Sequence, residues 1–133
     1  MKRWKVLIVN DSPVSRAILR GILETDKAYE VVGEAPTGRE AVRVMAALRP
    51  DVILMDIHMP EMDGVQATRK IMTEHPTRIL ITSATITRNL GYVVEAQAAG
   101  ALGVARAALA AHAQHETLPQ LQHWVRELEK TLG

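Results

Sequence analysis

Two unbroken apolar runs, Val6-Leu7-Ile8-Val9 and Val52-Ile53-Leu54-Met55, constrain the fold of this chain more than any other feature. Neither alternates with polar residues, so neither can lie with one face in water. Short, β-branched runs of this kind are strands covered on both faces, the arrangement found in parallel sheets. Each ends abruptly in polar chemistry, the first at Asn10-Asp11 and the second, read as a strand over Asp51–Asp56, at Asp56 itself. Further strands are expected at Tyr29–Gly33, Arg78–Thr82 and Ala101–Ala105.

Helices are expected between the strands. Ser12-Pro13 has the form of an N-cap followed by proline at the first helical position, and Val14, Ala17, Ile18, Ile22 and Leu23 follow at roughly helical spacing. Thr37-Gly38-Arg39-Glu40 reads as a capping box, with hydroxyl and carboxylate satisfying each other's backbone donors. Its helix carries Val42, Met45 and Leu48 and stops before Pro50. Asp63-Gly64 opens another helix, with Val65, Ala67, Ile71 and Met72 as its apolar positions. A weaker helix is expected over 89–99, and Leu118, Leu121, Val125, Leu128 and Leu132 form the stripe of a last one. Strands alternating with helices predict an α/β fold, a single doubly wound five-stranded parallel sheet.

Composition narrows the function classes. At 133 residues, 47% hydrophobic and 23% charged, the chain reads as one globular domain over 1–133. Sixteen basic against fifteen acidic residues leave a net charge of +1, which gives no electrostatic case for nucleic acid or a membrane surface. The absence of cysteine excludes disulfides, thiolate metal sites and cysteine nucleophiles. No apolar run approaches the roughly 20 residues of a membrane span, and the run after Met1-Lys2-Arg3-Trp4-Lys5 is too short for a signal peptide. A cytoplasmic protein is expected.

In an open parallel sheet, sites form beyond the carboxyl ends of the strands at the topological switch point. There the first strand delivers Asn10 and Asp11, the third Asp56 and the fourth Thr82 and Ser83. Two carboxylates about 4 Å apart repel by roughly 4 kcal/mol at an effective dielectric near 20. A site that keeps both ionised wants a cation, and hard oxygen ligands with open positions suit Mg²⁺. The plainer reading of Asp11 is a helix cap shared with Ser12.

These residues resemble a known family. Val6-Leu7-Ile8-Val9-Asn10-Asp11-Ser12-Pro13, the segment from Asp51-Val52-Ile53-Leu54-Met55-Asp56 through Ile57-His58-Met59-Pro60-Glu61-Met62-Asp63-Gly64, and Ile81-Thr82-Ser83-Ala84 are similar to the receiver domain of two-component response regulators, over about residues 4 to 105. Val31-Val32-Gly33-Glu34-Ala35 and Leu48-Arg49-Pro50-Asp51 lean toward the receivers of chemotaxis methylesterases and of regulators with helix-turn-helix outputs. Neither output domain is recognised in these residues.

The resemblance implies a flavodoxin-like receiver fold with Asp56 as phosphoacceptor from a sensor histidine kinase. It implies Mg²⁺ held by Asp11, Asp56 and the backbone carbonyl of His58, with Asn10 a weak contact through water. Thr82 matches the switch hydroxyl, and Ser83, a candidate for contacting the phosphate, is small enough to leave the acceptor accessible. The implied downstream protein target, or a second copy forming a homodimer, meets the face of the fourth helix, fifth strand and fifth helix, which is alanine-rich over 96–111. The chain is expected to be no enzyme beyond self-catalysed phosphotransfer and dephosphorylation.

The sequence departs from the family at three places. Asn10 stands where a second acid is usual, Ala107-Ala108 where the family has lysine and proline, and Val104 at the aromatic switch position. Arg106, one residue early, is the one basic candidate for contacting the phosphoryl group. A one-residue shift reverses a strand side chain, so such a substitution requires a local rearrangement. The alternative is a pseudo-receiver, a protein-interaction module that keeps the fold without switching on phosphorylation. A flavin protein or haloacid-dehalogenase-type phosphatase is disfavoured by the lack of a phosphate loop after the first strand and by His58 two residues beyond Asp56.

Overall fold

Val6 to Val9 and Val52 to Met55 are wholly shielded from solvent, each at 0% exposure. They occupy the first and third strands of a computed structural model that describes residues 3–56, 59, 61–83 and 103–106. The elements run β1 (Trp4–Val9), α1 (Pro13–Glu24), β2 (Tyr29–Ala35), α2 (Gly38–Leu48), β3 (Val52–Asp56), α3 (Gly64–Glu74), β4 (Arg78–Ser83) and β5 (Gly103–Arg106). The five strands are parallel, in the order β2-β1-β3-β4-β5.

The pleat explains why no polar residue interrupts β1 or β3. Leu7, Val9, Ile53, Met55 and Ile79 face a layer built by Ala41 and Met45 of α2 and Val65, Ala67 and Ile71 of α3. Their neighbours Val6, Ile8, Val52, Leu54 and Leu80 point the other way, onto Leu19, Ile22 and Leu23 of α1. Each such side chain contributes about 1.5–3 kcal/mol by leaving water. The doubly wound α/β architecture expected from the sequence is therefore present, with a core on each side of the sheet.

Several local expectations need correction. The α1 stripe is turned from the expected one: Leu19, Ile22 and Leu23 are buried, whereas Val14 is 69% exposed and Ala17 lies on the surface. With proline at the first helical position, Val14 falls in the opening turn of α1, a turn before the buried stripe begins at Leu19. Thr37 does cap α2, its Oγ1 accepting from Glu40 N at 3.1 Å. The Glu40 carboxylate, however, accepts from Arg43 at 2.6 Å, so the reciprocal half of the box is missing. The reciprocal box is at α3, where Asp63 Oδ1 accepts from Gln66 N (2.9 Å) and Gln66 Oε1 accepts from Asp63 N (3.1 Å).

β2 runs to Ala35, past the expected end at Gly33, and β5 is shifted from Ala101–Ala105 to Gly103–Arg106. Within β2 the register with β1 slips: Val6 pairs with Val31 but Leu7 with Gly33, leaving Val32 as the extra residue. Gly33 is thus inside a strand and not at a turn. A Cβ there would come within 2.7 Å of Leu48 Cδ1, the end of a side chain that would have to turn aside, so α2 approaches the sheet closely at this glycine. The expected helices at 89–99 and in the last segment, and most of the alanine-rich face, lie outside the described residues.

Candidate functional site

In this strand order the connections reverse direction between β1 and β3, which creates a crevice at their carboxyl ends. Val9 pairs with Met55, the last registered pair before each strand reaches its polar end. Asp56 closes β3 half-buried, and Asn10 and Asp11 leave β1 beside it. Asp56 is in register with Thr82 on β4, and Thr82 with Ala105 on β5. One residue further on, Ser83 pairs with Arg106. Neighbouring strands are about 4.8 Å apart, so Asp56 and Thr82 are adjacent backbone positions at the same edge. The β4–β5 pairing runs without a register shift through Arg106. His58 lies outside the described residues.

Asn10 and Asp11 are adjacent in sequence but differ in surroundings. Asn10 is buried at 2% exposure, and its Oδ1 accepts from Ser12 N at 2.9 Å, closing a tight turn. Its main-chain N–H donates to Ala35 O at 3.0 Å. Its carbonyl accepts from Arg16 Nη1 at 2.6 Å. Asp11, by contrast, is exposed. Ser12, not Asp11, caps α1, its Oγ accepting from Ser15 N at 3.2 Å. The plainer reading of Asp11 as a cap therefore loses its support.

The donor set suits a hard cation of low protein coordination. Among the described residues no cluster of three or more His, Cys, Asp or Glu could hold a metal ion. What the crevice offers is one carboxylate from each of two adjacent strands, and Mg²⁺ characteristically takes one or two carboxylates and fills its remaining positions with water and phosphate oxygens. The residues present fit that ion better than zinc, which takes nitrogen and sulfur ligands in a closed tetrahedron.

A cluster of three residues, Arg16, Arg20 and Glu34, escaped the reading of the sequence. Arg16 reaches the Asn10 carbonyl and also Glu34 Oε1 at 3.2 Å, while Arg20 Nη2 meets Glu34 Oε2 at 2.7 Å. Glu34 stands in β2 beyond the strand end the sequence indicated, which is why the pairing went unseen. The hydrogen bond to Glu34 is the largest cause of an upward shift in the Arg20 pKa, so this cation stays charged throughout the range in which proteins work.

A doubly wound sheet with an acid at the end of each strand flanking its switch point defines a class of α/β module, and comparison places the chain within it. Residues 6–106 match the model of the response regulator receiver domain, and the chain belongs to that family. It is 46% identical over 100 residues to a protein-glutamate methylesterase/protein-glutamine glutaminase of Myxococcus xanthus, covering 75% of this chain and 28% of that protein. A Hahella chejuensis protein of the same name is 57% identical over 79 residues, 59% of this chain and 22% of the relative. The structure of the response regulator domain of Thermotoga maritima CheB superposes with a TM-score of 0.80 at 33% identity, covering 98% of this chain and 94% of that one. The CheX–CheY–BeF3–Mg²⁺ complex of Borrelia burgdorferi is similar at a TM-score of 0.68 and 28% identity, covering 77% of each chain.

These relatives correct one expectation. They are named as enzymes, so the reading of the chain as no enzyme is overturned. That reading rested on finding no output domain within these residues, whereas the chain spans less than a third of the length of the curated relatives it matches. The setting is two-component signalling of the chemotaxis methylesterase type. No helix among the described residues is long and apolar enough to cross a membrane.

Proposed function

We propose that the chain is a phosphorylatable receiver in which Asp56 accepts a phosphoryl group from a sensor histidine kinase and thereby regulates a methylesterase/glutaminase output. The observation that carries this reading is the shared edge: Asp56 ends β3 beside the Asn10-Asp11 turn and in register with Thr82. Receiver domains in general bind Mg²⁺ and interact with histidine kinases and downstream effectors. The Borrelia complex, named for BeF3 and Mg²⁺, supports the same chemistry here.

In the proposed reaction an Asp56 carboxylate oxygen attacks the phosphorus of the kinase phosphohistidine. The P–N bond breaks and the imidazole nitrogen takes up a proton. Asp11, Asp56 and the main-chain carbonyl of residue 58 would hold Mg²⁺, which supplies charge neutralisation on the transferring phosphoryl oxygens. Thr82, one strand over, would donate its hydroxyl to the new phosphate. Ser83 would leave room for the donor, whereas Arg106 stands one position out of phase with Asp56, Thr82 and Ala105 in an unshifted β4–β5 pairing, so it would supply the cation that Ala107 does not only after a rearrangement of β5. Catalysis of this kind is positioning and electrostatics, which a rigid strand edge can provide.

The pseudo-receiver reading draws on Asn10, whose amide oxygen is already committed to Ser12. Intact-protein mass after incubation with acetyl phosphate and Mg²⁺ decides between them. Gain of one phosphoryl mass, absent in Asp56→Ala, is the expected result. A folded wild-type protein that gains nothing from acetyl phosphate or from a phosphorylated histidine kinase would overturn the phosphoacceptor assignment and leave the interaction module.

A further inference from the structure

We propose that Arg16 is a positioning residue for the phosphoacceptor site, acting through the peptide that joins Asn10 to Asp11. This rests on the reading of Asp11 and Asp56 as the metal-holding pair. The carbonyl of Asn10 lies in the same rigid plane as the N–H and Cα of Asp11. Whatever fixes that carbonyl therefore fixes the N–Cα axis about which Asp11 turns, and the bond from Ser12 N to Asn10 Oδ1 restrains the turn itself, so the two together set where the Asp11 side chain leaves the backbone. Arg16 Nη1 donates to it at 2.6 Å.

Arg16 is itself held. Its Nε donates to Glu34 Oε1 at 3.2 Å, its side chain is 18% exposed, and its own main-chain N–H donates to Ser12 O at 3.0 Å. Glu34 is fixed in turn by Arg20, whose Nε meets Oε2 at 2.8 Å. The result is a clamp from α1 to the end of β2. Alongside it, Ala35 O holds the Asn10 N–H and Ser12 N holds its amide oxygen. Asn10 is thus occupied on three sides as a piece of framework, while Asp11 is left exposed beside the crevice.

Only arginine performs this double task. A guanidinium presents Nη1 and Nε as separate donors in one plane, so a carbonyl and a carboxylate can be engaged together. An ammonium on a flexible stem can satisfy the carbonyl or the carboxylate without fixing the angle between them. Groups that orient metal ligands from behind typically change metal affinity by about 10–100-fold when removed. Arg16 acts through main chain, which places its effect at the lower end of that range.

The test is calorimetric titration of Mg²⁺ into the wild type, Arg16→Ala, Arg16→Lys and Glu34→Gln, with urea unfolding of each. Arg16→Ala is expected to raise the Mg²⁺ Kd about tenfold, with Arg16→Lys and Glu34→Gln between it and the wild type. Thr37→Ala, which removes a helix cap away from this turn, is expected to lower the urea midpoint without changing the Kd. A folded Arg16→Ala that binds Mg²⁺ as tightly as the wild type would overturn the positioning role while leaving the site intact. Should Arg16→Ala not fold, unchanged affinity in both Arg16→Lys and Glu34→Gln would overturn it equally. A folded wild type with no saturable Mg²⁺ binding would instead remove the metal-holding pair, and the role of Arg16 with it.

Discussion

Thr68 shows how a single polar atom can be left over when a helix is pressed against a core. It lies on α3 at 0% exposure, and its Oγ1 has no hydrogen-bond partner. A buried donor without a partner costs about 1–3 kcal/mol. Thr68→Val keeps the branched shape and removes the hydroxyl, so it is expected to raise stability by about 1 kcal/mol, measured as a higher urea midpoint at unchanged slope. Arg20 makes the opposite point about charge. Its pKa is raised, first by the hydrogen bond to Glu34, so its contribution is present at all pH below the ordinary arginine value and is lost only as pH climbs through the raised one. From the cation's side the clamp therefore adds no pH dependence in the neutral range, and substitution is the way to probe it.

At the scale of elements, the contact between α2 and the loop entering α3 is set by Gly38. A Cβ on Gly38 would run into the backbone carbonyl of Met62 and press on Ala67 Cβ at 3.0 Å. Backbone cannot rotate away as a side-chain end can. Gly38→Ala is therefore expected to destabilise by about 1–3 kcal/mol and to slow phosphorylation of Asp56, because the displaced loop begins at the end of β3. Matched unfolding curves and acetyl phosphate kinetics check both halves. The helix starts also show which element features were legible. Ser12 and Thr37 announced caps correctly, since a hydroxyl before an amphipathic stretch has one obvious use. The capping box went to the wrong helix because Glu40 had a better partner in Arg43, an i,i+3 competitor that spacing does not weigh.

For the whole molecule, the unbroken, β-branched runs at Val6–Val9 and Val52–Met55, alternating with helical stretches, pointed to a sheet covered on both faces. The carboxyl-edge positions of Asp11 and Asp56 followed from where those runs stop, and that of Thr82 from the end of the strand expected at Arg78–Thr82. Gly33 and the extent of β2 were not legible, because register slips depend on how helix and sheet fit together. The Arg16–Glu34 clamp was hidden for the same reason, as its partners are 18 residues apart and meet only once β2 pairs with β1. A ligand that binds only the folded site stabilises the whole protein by about 2.7 kcal/mol at a hundred times its Kd. Beryllofluoride with Mg²⁺ is accordingly expected to raise the Tm, and EDTA or Asp56→Ala to abolish the rise in a thermal melt. An equal rise in Asp56→Ala would show binding elsewhere.

The slip at Val32 matters beyond the fit of α2. β2 stands at one end of the strand order, and a terminal strand offers its spare amides and carbonyls as a template on which another polypeptide can add. Such templating, and the fibrillar stacking that follows from it, needs a flat rim with an even repeat. One surplus residue in the middle of β2 breaks that repeat and sharpens the local twist. The same irregularity makes this strand a poor seed for aggregation, a protection that straightening β2 by deleting Val32 would remove.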